Sequence, residues 1–502
     1  MKAFLLFCKH HIALLHALFF LLGLGFIKDF NGYFLFLFLV IFLSVGWKTP
    51  RKLLPFLAIF ILACIYGNLK KESFPKEKKF VQGQALFIPS EIKSYHSHFK
   101  KIELLKGSIH SMKTPSNEVI KNIPCTISLS SSVQRAPMNS SYYIYGSLEK
   151  KGEFNHSFFS FKADLSTPWI ALPHSFSLTE WRFQTKQFLF KKIHLIFSNS
   201  KVADFITALT LGTLEDRMLK FEFSRLGLQH ILAISGFHFG LLALLLGIFF
   251  RIFFKDKIAY LILLLSLTAY FILLGNSPSI LRAYLALSLY LISKLGNWHA
   301  NGLNILGATL FLELLIDPHV ISHLGFQLSF LATFSILFLL PLVRKAMLLF
   351  FPYRTLIEVK EFNVLEKWTY LFCCFLRSAF ALNIAVSLSM IPVCLFHFHK
   401  FPLISLAYNL FIPPSFSLSL FLFFISIPFF FLCPPIASLL TYCNEWFTSQ
   451  VLELISQSPV CFDLSLRVPK FPLPLLLALL LTIFSLPFLC FKKKHISQNY
   501  NI

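Results

Sequence analysis

Charge is scarce in this sequence. Asp, Glu, Lys and Arg make up 14% of its 502 residues, where soluble domains carry about a quarter. Acids are the scarcer kind, 23 against 46 basic residues. Several chemistries are missing as well. There is no GxxxxGK[ST] loop, which excludes ATP hydrolysis by a P-loop. The 10 cysteines include no CxxC pair. Most of them (Cys64, Cys373, Cys374, Cys394, Cys433) lie in apolar runs, where a thiol acts as a small packing group. The HxH of FHFHK, His397 and His399, is followed by Lys400 and Phe401. An HxHxDH metal site would need Asp and His there, so no metal or other cofactor is expected. Ser235 and His238 lack a third group to orient them, so no catalytic residue is assigned and the chain is not read as an enzyme.

What is abundant is apolar length. Hydrophobic residues make up 56% of the chain, Phe alone numbering 63, and mean hydropathy is +0.69. Several runs are long enough to cross roughly 30 Å of hydrocarbon. This predicts a multi-pass α-helical membrane protein. Three spans come first, about His11–Ile27, Tyr33–Trp47 and Leu53–Gly67. The first lacks a small-x-small cleavage site and is read as a span rather than a signal peptide. The basic link WKTPRK (47–52), with Lys2 and Lys9, places the start in the cytoplasm and exports the segment after the third span.

That segment, residues 68–200, is polar and basic. Between Lys70 and Lys201 there are 20 Lys and Arg against 9 acids, enough to act as a field. Its partner is a polyanion or anionic membrane lipid, or the charge serves only to solvate the domain. QALFIPSEIKSY, KIELLKGSIHS, PCTISLS and SSYYIYGSLEKKG alternate apolar and polar residues between Gly, Pro, Ser and Asn turns. They predict strands and a small β barrel or sandwich. Cys125 is the sole cysteine there, so no internal disulfide forms.

From Lys201 the chain returns to the membrane, through residue 492, with a cytoplasmic tail at 493–502. KVADFITALTLGTLEDRMLKFEFSRLG has helical apolar spacing but too much charge to span, and reads as an interfacial helix. Spans are expected near 228–250, 258–275, 279–294, 303–316, 324–342, 368–392, 415–432, 472–490 and, with its side undetermined, 436–455. Basic ends at 251–257, 342–345 and 491–495 fall where this threading puts cytoplasm.

Four spans carry polar interruptions. In LGLQHILAISGFHFGLLALLLGIFF (226–250), taken as one helix, His230, Ser235 and His238 share an arc of roughly 140°. Gly236 and Gly240 lie nearly opposite, a small-xxx-small face for close helix packing. The polar face lines a water path, or Ser235 merely packs and His230 sits at the interface. In GNSPSILRAYLAL (275–287), Ser277 is a natural N-cap and Pro278 a natural N1 residue. Asn276 and Ser279 flank that helix start, and Arg282 lies one turn in, where it snorkels or faces an aqueous cavity. Gln327 and Ser329 interrupt DPHVISHLGFQLSFLATF (317–334). Asn409 sits in a span broken by Pro413 and Pro414. Ordinary interhelical hydrogen bonding would also account for these last two.

Taken in order, these segments resemble the ComEC-type competence family. The matching stretches are ALTLGTLEDR (208–217), LGLQHILAISGFHFGLL (226–242), GNSPSILRA (275–283), DPHVISHLGFQLSF (317–330) and the Asn409/Pro413 segment. The resemblance implies a polytopic α-helical membrane protein with an exported small β (OB-like) domain inserted after the first three spans. It implies a multi-pass channel in the bacterial inner membrane that admits single-stranded DNA during natural transformation. His230, Ser235, His238, Asn276, Ser279, Arg282, Gln327, Ser329 and Asn409 would be its channel-lining candidates. Its partners would be single-stranded DNA, a DNA-binding receptor, a cytoplasmic motor or strand-binding proteins, and membrane lipids; monomer and homodimer both fit. Tyr142, Tyr143 and Tyr145 would stack bases or, for most of them, fill the barrel core. Many family members carry a metallo-β-lactamase-like domain after the last span. This sequence ends at Ile502, so a form without that domain is expected. The alternative is another transporter, or a lipid- or envelope-polymer-handling protein, on the same fold.

Overall fold

Alternation of apolar and polar residues does build a barrel between the first membrane-type helices and the rest. In the computed structural model the described residues are 10–29, 54–70, 80–97, 100–114, 119–130, 141–151, 158–164, 167, 169–172, 177–214, 216–234, 236–458 and 464–497. The span expected at Tyr33–Trp47, the WKTPRK link, and Ser235 lie outside them.

Helices α1 (Ile12–Asp29) and α2 (Leu54–Leu69) precede the strands. Strands β1 (Phe80–Ser97), β2 (Lys100–Lys113), β3 (Val119–Ser130), β4 (Tyr142–Lys151), β5 (Phe158–Ala163) and β6 (Ile170–Ala171) come next. The order is β1-β2-β3-β5-β4, and β4 also pairs with β1, which closes the barrel. The β3–β5 pair is parallel and the rest are antiparallel. That order and closure are OB-like. β1 serves both neighbours by bending at irregularities near Leu86/Phe87 and Pro89/Glu91, the usual device for turning a barrel corner. Inward residues such as Phe87, Ile109, Ile123, Leu148 and Phe161 fill the interior. Tyr142 joins them, packed edge-on against Trp169. Tyr143 and Tyr145 are on the outer face, about a third exposed. The expectation that most of the three fill the core is therefore corrected, because period-2 geometry lets residues 143 and 145 share only the opposite face.

The helical part begins with α3 (Leu178–Ile196), α4 (Ser200–Leu211) and α5 (Arg217–Arg225). The expected interfacial helix is thus two helices. Nine of the twelve residues of α4 are buried, because it is apolar around most of its circumference and sits at the centre of a core with later helices. Only α5 is amphipathic, burying Leu219 and Phe223 while Met218 and Phe221 stay exposed.

Next come the one-turn α6 (Gln229–Leu232), α7 (Gly236–Phe253), α8 (Asp256–Leu274), α9 (Pro278–Leu295) and α10 (Gly302–Ile316). α11 (Leu324–Phe338) and α12 (Leu340–Met347) form a pair bent by 49°. α13 (Leu356–Glu361), α14 (Val364–Phe398), β7 (Lys400–Pro402), α15 (Ser405–Leu432), α16 (Pro434–Ser456), β8 (Ser465–Arg467) and α17 (Leu473–Ser497) complete the order. Among the described residues, α7, α8, α14 and α15 are long and apolar enough to cross a membrane, and the bent pair is so only if taken together as one span. The apolar parts of α1, α2, α10 and α17 are shorter. The segment 226–250 is not one helix. Ala233 is extended and ends α6, and α7 starts at Gly236. Nor is 405–432 broken: α15 runs through Pro413, Pro414 and Pro428. Proline there frees only the carbonyls four residues back, a loss tolerated where protein surrounds the helix.

Close helix packing uses glycines other than those expected. A Cβ at Gly307 on α10 would collide with the Leu14 backbone of α1, and one at Gly23 would lie 2.7 Å from Ala63 Cβ on α2. A Cβ at Gly236 would lie 3.5 Å from Arg282, and one at Gly240 would meet nothing within 4 Å. Gly240 is therefore no packing residue, because α7 leaves open space along that face. α3 ties the barrel to the helices. Thr179 Oγ1 donates to the Pro89 carbonyl at 3.0 Å, while Arg182 Nε and Lys186 Nζ donate to Ile272 and Leu274 carbonyls at 2.7 and 2.8 Å. Gly275, at φ +97°, lies against the Arg182 side chain. The barrel thus sits over the α8–α9 turn, and the basic α7–α8 turn lies at the opposite end of α8.

Two outcomes test this packing. Gly307→Leu overpacks the α1–α10 contact and is expected to cost about 1–3 kcal/mol, read as a lower thermal transition of the detergent-solubilised protein, whereas Gly240→Leu leaves it unchanged. Cys125 is buried in the barrel, which pushes its thiol up from 9.0 to about 12. A raised folded pKa favours the protonated form, so this contribution to stability is complete below pH 9 and lost as pH rises toward 12. Peptide mapping after alkylation at mildly alkaline pH should find Cys125 unmodified until the protein is unfolded.

Candidate functional site

The polar interruptions converge on the first turns of α7 and α9. Ser277 is the N-cap of α9 and Pro278 occupies N1, as expected, but the serine side chain makes no capping bond. One turn on, Arg282 is half-buried. Its Nη1 donates to the Ser329 carbonyl of α11 at 2.5 Å and to Thr333 Oγ1. Thr333 Oγ1 also donates to the Ser329 carbonyl at 3.0 Å. The guanidinium lies 5.9 Å from the Phe330 ring centre, within cation–π range. Its Nε is buried without a hydrogen-bond partner. The first turn of α7 lies beside the same guanidinium, where a Cβ at Gly236 would make ordinary contact with it at 3.5 Å. Arg282 therefore faces the bundle rather than snorkelling to an interface.

Glu313 on α10 completes this cluster. It is 1% exposed, and neither carboxylate oxygen has a hydrogen-bond partner. A buried carboxyl without hydrogen bonds is costly, and Arg282 is the basic group whose charge reaches it. Sequence reasoning missed both Glu313 and Thr333. Their signals were present: Glu313 is an ionisable residue inside an apolar span, and Thr333 lies four residues after Ser329, on the same helix face.

His230 and His238 meet at a second place. Despite the break between α6 and α7, both line one cavity of about 100 Å³, with Leu209 of α4 and Pro413 and Phe416 of α15. His238 is 6% exposed. His230 is exposed, although it lines the same cavity. At roughly 30 Å³ per water, the cavity holds a few water molecules. Asn409, one turn before Pro413, buries its Oδ1 without a partner.

The remaining candidates do not join these groups. Gln327 Nε2 donates to the Ile321 carbonyl at 2.9 Å, and its Oε1 meets His397 Nε2 at 3.1 Å. It pins the start of α11 to the end of α14. His397 is spent on that contact, and no group of three His, Cys, Asp or Glu among the described residues is arranged to hold a metal. Asn276 is exposed and Ser279 half-buried at the α9 start, beneath the barrel. Ser329 enters through its backbone carbonyl.

A family model described as "Competence protein" matches residues 213–493, a stretch that contains the Arg282 cluster and both histidines but not the barrel. Over 243 residues the chain is 29% identical to "ComE operon protein 3" of Bacillus subtilis (strain 168). That alignment covers 47% of this chain and 28% of the relative, so the chain matches less than a third of that protein's length. No solved structure matches.

If Arg282 compensates Glu313, their substitutions are not additive. Arg282→Gln alone leaves an uncompensated buried acid and is expected to cost about 3–5 kcal/mol. Adding Glu313→Gln should recover part of that loss in a double-mutant cycle on thermal stability.

Proposed function

The chain belongs to the competence protein family, and on that premise we propose that it is the inner-membrane channel that admits single-stranded DNA to the cytoplasm during natural transformation. The observation that carries this reading is a guanidinium fixed inside an apolar helical bundle. Arg282 is held by one edge, to Ser329 and Thr333, and its Nε is unbonded. An intramembrane cation in that state is a natural contact for a passing phosphate.

The barrel gives such a strand a place to arrive. It has the OB order, a lysine-rich chain around it, and two tyrosines about a third exposed, Tyr143 and Tyr145, two residues apart on one face of β4. Bases stack on such rings and phosphates are drawn by the field. From there α3 leads to the α8–α9 turn, next to Arg282. The opposite end carries Arg251, Lys255, Lys257, Arg344 and Lys345, which favours a cytoplasmic assignment for that end and export for the barrel. A cavity of about 100 Å³ beside His238 is too small for a nucleotide. The chain offers no P-loop, so the driving force comes from partners: a cytoplasmic motor or strand-binding proteins, supplied by a surface DNA receptor.

In a competent strain lacking the gene, complementation with the parent chain restores entry of labelled DNA into the cytoplasm. Arg282→Gln should reduce it by about tenfold or more, the worth of one lost charge-assisted contact, and His238→Leu should also reduce it, at equal protein level in the membrane. Parental uptake by both variants would refute the channel reading.

A further inference from the structure

A groove between α7, α8 and α9 is not used by the proposed DNA path. Its volume is about 280 Å³, and Gly240, Ala243 and Gly247 of α7 line it with Leu263, Leu287 and Leu291. It opens among the outermost apolar residues of the bundle, including Leu244, Ile248, Leu261 and Leu265. Only 17% of the α7 window and 22% of the α8 window are buried. A Cβ at Gly240 would meet nothing within 4 Å, and one at Gly247 would reach Leu263 at 3.5 Å. An apolar recess of this size forfeits dispersion contacts unless something fills it. In a bilayer, the surrounding hydrocarbon fills it.

The end of the groove away from the barrel is charged. Arg251 lines it, and its Nη2 donates to the Tyr260 hydroxyl at 2.5 Å, with the guanidinium 5.1 Å from that ring. From the last turn of α9, Lys294 lies 5.4 Å over the Tyr290 ring. Both tyrosines also line the groove, so two cations are folded back over its mouth. Lys255 and Lys257 flank them, and the acid there is Asp256, 3.6 Å from Arg251 and itself exposed.

We propose that this groove is a lipid site, holding one acyl chain of an anionic phospholipid whose phosphate is met by Arg251 and Lys294. Charge complementarity selects this occupant. A zwitterionic lipid would fill the apolar part equally well but gain less at the mouth, and free phosphate would use the cations without the groove. The site depends on the apolar helices lying in a bilayer and not on DNA transport, so the two readings fail separately.

The test places the full chain in bilayer discs of phosphatidylcholine containing photoactivatable phosphatidylglycerol, or photoactivatable phosphatidylcholine as the comparison. Adducts are mapped by peptide and normalised to those on α17. The expected result is an excess of the anionic probe on peptides covering 240–251 and 287–291. Arg251→Gln should lower that excess about fivefold, the worth of one basic side chain at an anionic surface. Gly240→Leu with Gly247→Leu should remove adducts of both probes from these peptides. Equal labelling by the two probes in the parent chain, or an excess that survives Arg251→Gln, overturns the proposal. Should the double glycine variant fail to insert, the Arg251→Gln comparison decides alone.

Discussion

One guanidinium among apolar helices constrains much of this bundle. Arg282 can remain charged only if neighbouring groups come to it, and α11 supplies them: a carbonyl, a hydroxyl and the face of the Phe330 ring. These contacts fix the distance between α9 and α11. Hydrophobic packing alone would tolerate small slides of one helix along another, because lipid and leucine are alike apolar. A hydrogen-bonded charge does not, so the positions of these helices are specified here more sharply than elsewhere in the bundle.

The barrel and the bundle are joined by similar chemistry. α3 reaches both, through hydroxyl and cationic donors to backbone carbonyls at Pro89, Ile272 and Leu274. These carbonyls lie at the end of a helix and in a bent strand, where backbone acceptors are left over. A rotation of the barrel would therefore be transmitted to the α8–α9 turn and the Arg282 cluster within one helix length. The other polar contacts in the bundle are of a different kind. Ser335 with Ser389 at 2.6 Å, and Ser419 with Thr448 at 2.6 Å, are neutral pairs that hold two helices together.

How much of this was legible in the sequence depends on the range of the interaction. Alternation gave the strands, since a strand's faces are set by its own residues. Apolar length gave the helices from α7 to α17 within a few residues in most cases. Polar residues in apolar runs pointed to Arg282, Ser329 and the two histidines. The failures share a cause. The helical wheel for 226–250 assumed continuity across Ala233, and no local residue forces that break. Prolines 413 and 414 suggested a broken span because their local effect is disruptive, yet the surrounding helices accommodate them. Gln327 meets His397, 70 residues away, and Arg282 meets Thr333 from another helix. Such pairings depend on how helices are arranged, which no single segment encodes. Close packing was likewise assigned to Gly236 and Gly240 from spacing, whereas partners on other helices put it at Gly23 and Gly307.

The Gly307 contact sets an order of events. Gly307 is seated against the backbone of Leu14, so the two halves of this contact leave the ribosome far apart in time. At roughly 5–20 residues per second, about 15–60 seconds pass between them. In that interval α1 is not alone, because Gly23 already has Ala63 and Phe60 of α2 to pack against. The N-terminal pair can therefore form early and wait in the bilayer, while α10 arrives late and docks onto a finished surface. Assembly of the fold is thus built around a long delay, and the glycine that closes it belongs to the later partner.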